Sequence, residues 1–525
     1  MVISSAEERI ISINPANKEK IGEVPIMTAG QVEEAVQQAW RAFDIWQMTN
    51  FYERSKMLMK FHKVLEQHAD EVAALVTAEV GKPIVEAYLS ELSGPLDTCI
   101  YLAEQTELIL KEQALHFSNP LLSSKQSTIV FDPLGVIGVI SPWNYPFSIP
   151  TMNILAALMT GNTVVLKPSE KSPLIGLKIG ELFEKAGFPK GVVTVVTGDR
   201  KTGEALTKCQ LARVIFTGSV EGGAKVMAQA APNIIPVSME LGGKDPAIVL
   251  PDAPADWTAK GLVWGAFTNA GQACASIERV YIVKGKNTDK LLDRILYHTS
   301  QLRLGQPTDP NTEVGPVIDE QQLLKIVDQV ERAKADGAKI LCGGSRRDDL
   351  GGYFFEPTVM TGVNHKMDIM TKETFGPVMP IMIVNSEDDA VVMANDSEYG
   401  LAASVWSPNL RRCEAVARDL NTGTVLMNDC LFSHASPQVP WGGIKKSGIG
   451  RSHGHFGLLD LVNIKHICTD GAGGGDRIWW YPYGESRVQV AKSGIKFLHG
   501  SNIFARLSGM VNFAANFLKN PRAKS

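Results

Sequence analysis

The stretch Phe216-Thr217-Gly218-Ser219-Val220-Glu221-Gly222-Gly223 decides the fold, because it joins a short apolar strand to the start of a helix. Its glycines, Gly218 and Gly223 among them, would let a phosphate approach the free N–H groups at the helix start. The stretch is not a G-x-G-x-x-G motif, so ordinary turn chemistry is the alternative. It predicts one strand–turn–helix unit of an α/β protein.

On both sides of this stretch, short apolar runs rich in β-branched residues alternate with helix-length segments. The predicted strands are Val136–Ile140, Thr163–Leu166, Val192–Val196, Val214–Phe216 and Pro236–Met239. This spacing is typical of βαβ units with a parallel sheet. A second α/β series follows from Lys244, with strands at Arg279–Val283, Ile381–Val384 and Thr424–Asn428 and a long polar helix at Gln321–Asp336. The first 120 residues are predicted to be helical.

Length and composition limit the class of protein. A chain of 525 residues exceeds one ordinary domain of ~100–200 residues, so two or three domains are expected. Hydrophobic residues make up 44% and charged residues 21%, which excludes global disorder, collagen and coiled coil. The net charge of −4 is unevenly distributed, since residues 471–525 carry eight basic and two acidic side chains, or +6, and the rest carries −10. Such an asymmetry can indicate a membrane surface or an anionic partner.

Several classes of site and location lack a signal. No apolar run is long enough for a transmembrane helix, and the start of the chain does not resemble a signal peptide, so we expect a cytoplasmic protein. The seven cysteines are scattered without a C-x-x-C, which favours reduced thiols over disulfides or zinc. The ten histidines contain no H-x-x-x-H pair, so no metal is expected. No pattern of nucleic-acid binding is present.

Four segments carry candidate chemistry. Cys274 lies between small residues, which leaves room for a substrate at sulfur, although an inert buried thiol is the alternative. Glu240 ends a predicted strand before two glycines and could act as a general base. Asn144, inside an aromatic Pro-bounded loop, could stabilise an oxyanion. Lys167 and Glu170 at another strand end could hold ribose hydroxyls, or form a simple exposed ion pair.

Taken together, seven motifs in this order resemble the NAD(P)-dependent aldehyde dehydrogenase superfamily. They are Pro142–Phe147, Lys167–Glu170, Phe216–Ser219, Met239–Lys244, Gly271–Cys274, Lys372–Pro377 and Trp441–Gly448, and the resemblance covers about residues 10–470. It implies a Rossmann-like NAD-binding domain (residues 1–119 and 137–243) and an α/β catalytic domain (residues 244–457). It also implies a small β oligomerisation arm, made from a hairpin (residues 120–136) and a late strand (residues 458–470), which leaves a basic aromatic extension at 471–525.

The resemblance assigns a role to each candidate. Cys274 matches the nucleophile that forms a thiohemiacetal and then a thioester, Glu240 the base that deprotonates the hydrolytic water, and Asn144 the oxyanion donor. The cofactor contacts that it implies are Lys167, Glu170, Gly218, Ser219, Gly223, Trp143, Leu241, Glu373 and Phe375. Because Glu170 would repel a 2′-phosphate, NAD is expected, with NADP as the alternative. A homodimer or homotetramer is implied as well.

The substrate is predicted to be an apolar aldehyde, with a medium or long aliphatic chain or an aromatic ring. Met152 stands where relatives that act on succinate semialdehyde present an arginine. Candidates for an apolar tunnel are Trp143, Tyr145, Phe147, Met152, Cys430 and Phe432, with core packing as the alternative. Two other hypotheses stay open: a dehydrogenase of short polar aldehydes, and a non-catalytic scaffold with a membrane-surface tail. Ser452-His453-Gly454-His455 departs from the pattern, since many relatives have a glutamate after Gly450-Arg451.

The tail beyond residue 470 matches no motif of the family. From Glu485 it is compatible with a helix, and an apolar face is formed by Ile503, Leu507, Met510, Val511, Ala514, Phe517 and Leu518. Basic charge comes from Lys496, Arg506, Lys519, Arg522 and Lys524. Such a helix could lie in a bilayer interface with Trp479, Trp480 and Tyr481 at the headgroups, or pack on the body or a neighbouring subunit. Gly494, Gly500 and Gly509 weaken the helix and favour packing.

Overall fold

The computed structural model describes residues 8–470, 477 and 479–518. The strands are β1 (Arg9–Ile13), β2 (Lys20–Pro25), β3 (Gln113–Leu115), β4 (Lys125–Pro133), β5 (Val136–Ile140), β6 (Thr163–Lys167), β7 (Val193–Val195), β8 (Arg213–Thr217), β9 (Val237–Glu240), β10 (Asp245–Val249), β11 (Ile277–Val283), β12 (Lys339–Cys342), β13 (Thr358–Thr361), β14 (Val378–Val384), β15 (Ala402–Trp406), β16 (Thr424–Met427), β17 (Gly448–Ile449) and β18 (Val462–Asp470).

The helices are α1 (Ala29–Trp46), α2 (Phe51–Gln67), α3 (Ala69–Val80), α4 (Ile84–Glu86), α5 (Ser93–Ile109), α6 (Ser148–Met159), α7 (Pro173–Lys185), α8 (Arg200–Lys208), α9 (Val220–Ala230), α10 (Ala255–Phe267), α11 (Thr288–Ser300), α12 (Glu320–Ala335), α13 (Asp368–Thr371), α14 (Glu387–Asn395), α15 (Leu410–Arg418), α16 (Gly454–Leu459), α17 (Glu485–His499) and α18 (Ile503–Leu518). A π-helical turn, Ala87–Leu92, links α4 to α5. None of the helices in the described ranges is long and apolar enough to cross a bilayer.

The chain divides into two compact units. The larger contains residues 1–109 and 132–463, and the smaller contains residues 110–131 and 464–525. The domain boundaries predicted within the larger unit stay a prediction.

Two sheets form the core of the larger unit. The first has the order β17-β9-β8-β5-β6-β7. Its last five strands in this order run parallel to one another, and β17 pairs antiparallel with β9. The second has the order β12-β13-β14-β11-β10-β15-β16 and is parallel except for β12. Their central strands, such as β5 and β10, are buried along their whole length, as expected for parallel strands covered by helices on both faces. The predicted α/β class with parallel sheets is therefore confirmed.

Some predicted elements were wrong. The first 120 residues are not all helical, because β1 and β2 pair antiparallel before α1 and β3 follows α5. The hairpin predicted at 120–136 is a single strand, β4, whose antiparallel partner β3 lies upstream at 113–115. These four strands lack the long buried runs that identify parallel strands. β1 and β2 form a sheet of their own, and β3 and β4 form a sheet with β18 in the order β18-β4-β3.

Buried Glu79 on α3 joins three elements of the larger unit. Its carboxylate accepts hydrogen bonds from Ser12 Oγ of β1 (2.7 Å) and from the backbone N–H groups of Leu174 (2.9 Å) and Ile175 (2.8 Å) in the first turn of α7. The N-cap residue of α7, Ser172, makes no side-chain cap hydrogen bond. Glu79 therefore satisfies helix-start N–H groups that would otherwise lack a partner.

The predicted tail helix is interrupted. It forms α17 and α18, which are separated by Gly500–Asn502. The predicted basic residues Lys519, Arg522 and Lys524 lie outside the described residues.

Candidate active site

Cys274 lies in a tight loop between α10 and β11. Asn269, Ala270 and Gly271 all adopt left-handed backbone conformations, with φ of 51°, 54° and 71°. Non-glycine residues in this region cost on the order of 1–3 kcal/mol each, so the surrounding structure must hold them. Part of that support is Glu86, whose carboxylate accepts a hydrogen bond from the Asn269 N–H at 2.8 Å. The loop leaves Cys274 partly exposed, unlike the inert core thiol that the sequence left open.

Asn144 lies beside this loop, in the segment that follows β5. Its side-chain amide donates to the backbone oxygen of Gln272 at 3.0 Å, and Asn269 Nδ2 donates to the Asn144 backbone oxygen at 3.0 Å. A side-chain amide has two N–H donors, so the second remains available for an oxygen bound in the adjacent cavity. Gln272 and Asn269 hold the two loops together. Sequence reasoning missed them because their role depends on contacts with Asn144, about 125 positions earlier in the chain.

Glu240 ends β9 and is buried. Its Oε1 accepts from Ser452 Oγ at 3.4 Å, and its Oε2 has no hydrogen-bond partner. Burial raises the pKa of Glu240 well above its ordinary value, while Arg451 and the Ser452 hydroxyl act in the opposite direction. An orphaned carboxylate oxygen beside a cavity is suited to bind a water molecule. Ser452, which follows Gly450-Arg451, is thus the residue whose side chain contacts the other oxygen of Glu240.

The thiol of Cys274 is neutral at rest. Although the residue is partly exposed, the surrounding protein desolvates its sulfur and raises its pKa strongly, and the carboxylates of Asp245, Glu240 and Glu373 raise it further. Each of these negative charges would repel a thiolate. The residue therefore needs an additional positive charge or a proton acceptor to become a nucleophile.

A cavity of about 510 Å³ brings the three candidate catalytic residues together. Asn144, Glu240 and Cys274 all line it. It is also lined by six of the predicted cofactor contacts, which are Trp143, Gly218, Ser219, Leu241, Glu373 and Phe375. This volume is typical of a small-molecule site.

A second cavity of about 460 Å³ continues past the start of α9 and shares Trp143, Gly218 and Ser219 with the first. Lys167 and Glu170 line it, and Lys167 Nζ lies 3.4 Å from Glu170 Oε2. Burial lowers the pKa of Lys167, and Glu170 partly offsets this shift. The two cavities form a cleft from this ion pair to Cys274.

Gly223 was predicted to contact the cofactor, but it lines neither cavity. It is buried in the first turn of α9, where a Cβ would lie 2.7 Å from the Leu241 side chain. Gly223 is therefore a packing glycine. Its neighbour Gly222, which was not among the predicted cofactor contacts, lines the second cavity.

The loop with Glu373 and Phe375 is fixed by residues that sequence reasoning missed. Glu278 accepts hydrogen bonds from the N–H groups of Thr374 (2.7 Å) and Phe375 (2.8 Å), and it forms a buried ion pair with Lys244 at 2.6 Å. Phe375 has a φ of 57° and contacts Trp143 edge-to-face at 5.5 Å. Burial, then the Glu278 charge, raises the pKa of Glu373 to about 7.

These residues fit a dinucleotide. The start of α9 presents N–H groups suited to a pyrophosphate, since Ser219 caps the helix and Gly218 and Gly222 line the cleft. Lys167 and Glu170 offer a donor and an acceptor for ribose hydroxyls at one end. Glu373, Trp143 and Phe375 lie at the other end, in the cavity that Cys274 also lines. The searched part of the chain, residues 8–470, 477 and 479–518, contains no cluster of three His, Cys, Asp or Glu arranged for a metal.

The predicted apolar tunnel is not formed as expected. Phe147 and Cys430 are buried in separate hydrophobic cores, Trp143 faces the cofactor cleft, and Phe432 is largely exposed. Met152 is buried, with its Sδ 3.3 Å from the position that a Cβ on Gly94 would take. The sequence pattern of aromatic residues did not reveal which side chains share a surface.

A polar aromatic cluster lies near Cys274 instead. The ring of His434 is 5.7 Å from Tyr145, 5.5 Å from Trp441 and 6.1 Å from His453. Cys274 packs against the small hydrophobic cluster that contains Trp441. Lys82 Nζ lies 3.6 Å from the centre of the Tyr145 ring and forms a buried ion pair with Glu91. His453 has a positive φ of 63° and is the N-cap residue of α16, so His455 lies in the first turn of that helix.

Both histidines of this cluster are neutral near pH 7. Burial lowers the pKa of His434 to about 4, with the Lys82 charge acting in the same direction. Burial, then His434, lowers the pKa of His453 to about 3. A neutral imidazole has one donor and one acceptor nitrogen, so the pair can hydrogen-bond a polar ligand.

The chain is similar to known enzymes over most of its length. Residues 2–467 match the model of the aldehyde dehydrogenase family. Chloroplastic betaine aldehyde dehydrogenase of Beta vulgaris is 38% identical over 475 residues, which cover 88% of this chain and 93% of that protein. Succinate-semialdehyde dehydrogenase [NADP(+)] GabD of Escherichia coli is 36% identical over 463 residues, which cover 88% and 94%.

A solved structure shows the same fold. Betaine aldehyde dehydrogenase of Staphylococcus aureus, in complex with NAD+, superposes with a TM-score of 0.84 at 35% identity, and the match covers 90% of this chain and 94% of that one.

Proposed function

Since the chain belongs to the aldehyde dehydrogenase family and is an NAD(P)-dependent oxidoreductase, we propose that it oxidises a short polar aldehyde to the carboxylic acid. This proposal favours the alternative of a short polar-aldehyde dehydrogenase over the apolar aldehyde predicted from the sequence. The observation that carries the proposal is the polar cluster of Tyr145, His434 and His453, in which His434 contacts Trp441, a member of the small hydrophobic cluster that Cys274 packs against.

The polar cluster supports this substrate class for a physical reason. Two neutral histidines and a tyrosine offer hydrogen-bonding groups with which a long alkyl chain cannot pair. An apolar substrate would leave these polar groups without partners, at a cost of about 1–3 kcal/mol each. The three relatives above are named for polar substrates, betaine aldehyde or succinate semialdehyde. Met152 argues against a carboxylate held by an arginine at its position, so an uncharged polar group is the better fit.

The reaction is proposed to begin at Cys274. Its partly exposed thiol gives its proton to solvent, and the resulting thiolate attacks the aldehyde carbon. The second N–H of the Asn144 amide stabilises the oxyanion that forms. Gly218, Ser219, Glu373 and Phe375 line the cleft that would hold a nicotinamide cofactor, which would supply the hydride acceptor for this carbon. A thioester on Cys274 remains, and its carbonyl is attacked by water.

Glu240 is proposed to activate that water. Its orphaned Oε2 accepts a proton from the water as the new C–O bond forms, and the C–S bond breaks to release the acid and the Cys274 thiolate. This role requires the carboxylate form of Glu240. Because its pKa is raised in the resting protein, the fraction of active enzyme is set by pH.

NAD is proposed to be preferred over NADP. The Glu170 carboxylate, which lies 3.4 Å from Lys167 Nζ at one end of the cleft, could accept hydrogen bonds from ribose hydroxyls but would repel a 2′-phosphate. Among the relatives, both cofactors are represented.

The substrate proposal is tested with a panel of aldehydes. We expect kcat/KM with NAD to be higher for the uncharged glycolaldehyde or lactaldehyde than for decanal, measured by absorbance of the reduced cofactor. His434→Phe should lower kcat/KM for the polar aldehydes by about tenfold and leave that for decanal unchanged or raised. Cys274→Ala is the control and should abolish all turnover.

Two outcomes would contradict the proposal. A higher kcat/KM for decanal would favour the apolar aldehyde expected from the sequence. NAD binding with no turnover of any aldehyde would favour a non-catalytic scaffold.

A further inference from the structure

The two tail helices form a hairpin whose contact uses one face of each helix. Phe497 of α17 meets Gly509 of α18, and Gly494 meets Phe513, so the helices run antiparallel. A Cβ on Gly509 would lie 2.3 Å from the Phe497 backbone nitrogen. The glycines that weaken these helices therefore let the two backbones approach each other.

A different face of α18 carries exposed apolar side chains, which we name the apolar face. Its members are Ile503, Phe504, Leu507, Met510, Val511 and Leu518, each with between 44% and 79% of its surface exposed. Their spacing places them on one side of a helix with 3.6 residues per turn. Gly509 and Phe513 of the hairpin contact fall outside this side, so pairing with α17 does not cover the apolar face.

The hairpin also carries an excess of positive charge. Arg487, Lys492, Lys496 and Arg506 are its described basic residues, against a single acidic residue, Glu485. Just before it, Trp479, Trp480, Tyr481 and Tyr483 are exposed. Aromatic side chains of this kind prefer the interface between lipid headgroups and water. Exposed apolar residues on one face with basic and aromatic residues around them complement an anionic lipid surface.

We propose that the α17–α18 hairpin binds an anionic bilayer surface, with the apolar face of α18 inserted at the level of the headgroups. Helix α18 has 16 residues and lies parallel to the surface, because a helix of this length extends only about 24 Å, less than a bilayer core. The basic residues contact anionic headgroups. A second copy of the hairpin fits less well, since two positively charged surfaces would have to meet. This proposal does not depend on the substrate proposed above.

The test compares sedimentation of the full-length protein with two kinds of vesicle. We expect binding to phosphatidylcholine vesicles that contain phosphatidylserine and at least about fivefold weaker binding to phosphatidylcholine alone. The triple variant Phe504→Glu, Leu507→Glu, Val511→Glu places charge on the apolar face. It should bind at least about tenfold more weakly, because three apolar contacts are lost in addition to the charge change.

A matched control separates the two contributions. Ser508→Glu, Asn512→Glu and Ala515→Glu introduce the same charge at exposed positions of α18 outside the apolar face. This variant should keep more binding than the first by at least about fivefold. NAD-dependent turnover should be the same in both variants, which shows that the body is folded.

Two results would overturn the proposal. One is no binding of the wild-type protein to anionic vesicles, and the other is equal loss of binding in the two triple variants. In the first case, a changed molecular mass of the apolar-face variant in light scattering would assign the apolar face to a contact between subunits.

Discussion

Glu240 and Cys274 both have raised pKa values, and the substitution Glu240→Gln should change alkylation and turnover in opposite directions. Glu240→Gln removes a negative charge near the thiol, so the pKa of Cys274 should fall and alkylation by iodoacetamide at pH 9 should accelerate. The same variant lacks the base for thioester hydrolysis, so kcat should fall by about 10²–10⁴-fold. Alkylation rates and steady-state turnover measure the two effects.

The pH profiles of the wild-type protein follow from the same shifts. Both groups act in their deprotonated forms, so alkylation and turnover should rise as pH increases through the raised pKa values. Slower alkylation of Glu240→Gln would indicate that Glu240 takes the thiol proton, contrary to the role proposed for it.

Glu170 is predicted to select the cofactor by charge. Its side chain is about half exposed, so solvent screens the repulsion and the effect is moderate. Glu170→Gln should raise the ratio of kcat/KM for NADP to that for NAD by about tenfold. Glu221→Gln is a suitable control, because Glu221 lines the same cavity without a contact to Lys167. An unchanged ratio in Glu170→Gln would remove this residue from cofactor selection.

At the scale of the elements, Glu79 couples stability to pH. Burial raises its pKa to about 7, so its contribution to stability is fully present below pH 4.5 and is lost as pH rises to about 7. The full loss is on the order of 3 kcal/mol. Glu79→Gln should therefore flatten the fall of the melting temperature between pH 5 and 8. Glu71→Gln, an exposed change on the same helix, should leave that slope unchanged.

The elements also indicate what a sequence can predict. Parallel strands such as β5 and β6 were predicted closely because their runs are buried on both faces and leave a continuous apolar signal. Strands β1 to β3 were missed because they are short, largely exposed and paired with neighbours that no local pattern identifies.

The same distinction applies to the site. Cys274, Glu240 and Asn144 were predicted from motifs, and the structure places them around one cavity. Glu278 and His434 were not predicted, because they act through contacts with residues about 96 and 289 positions away in the chain, Thr374 and Tyr145 respectively. The polar cluster therefore depends on the tertiary structure and not on local sequence.

At the scale of the whole molecule, the net charge of −4 combines two regions with different properties. The family match ends at residue 467, close to the point where the acidic body of −10 gives way to the basic tail of +6. The relatives therefore provide a basis for proposing the chemistry of the body but none for the tail. The tail hairpin must be understood from its own surface, which is basic and exposes apolar residues.

Self-association is the last prediction, and it rests on the small sheet β18-β4-β3. Within the described residues β18 is an edge strand, and it exposes Ile464 and Ile467. An exposed apolar edge is a template for pairing with another chain, so we expect a homodimer or homotetramer. Ile464→Lys with Ile467→Lys should reduce the mass measured by light scattering to that of a protomer. Ile45→Lys with Met48→Lys makes the same change at exposed residues of α1 and its C-terminal flank and should leave the mass unchanged. If both double variants keep the wild-type mass, the edge of β18 is not the subunit contact.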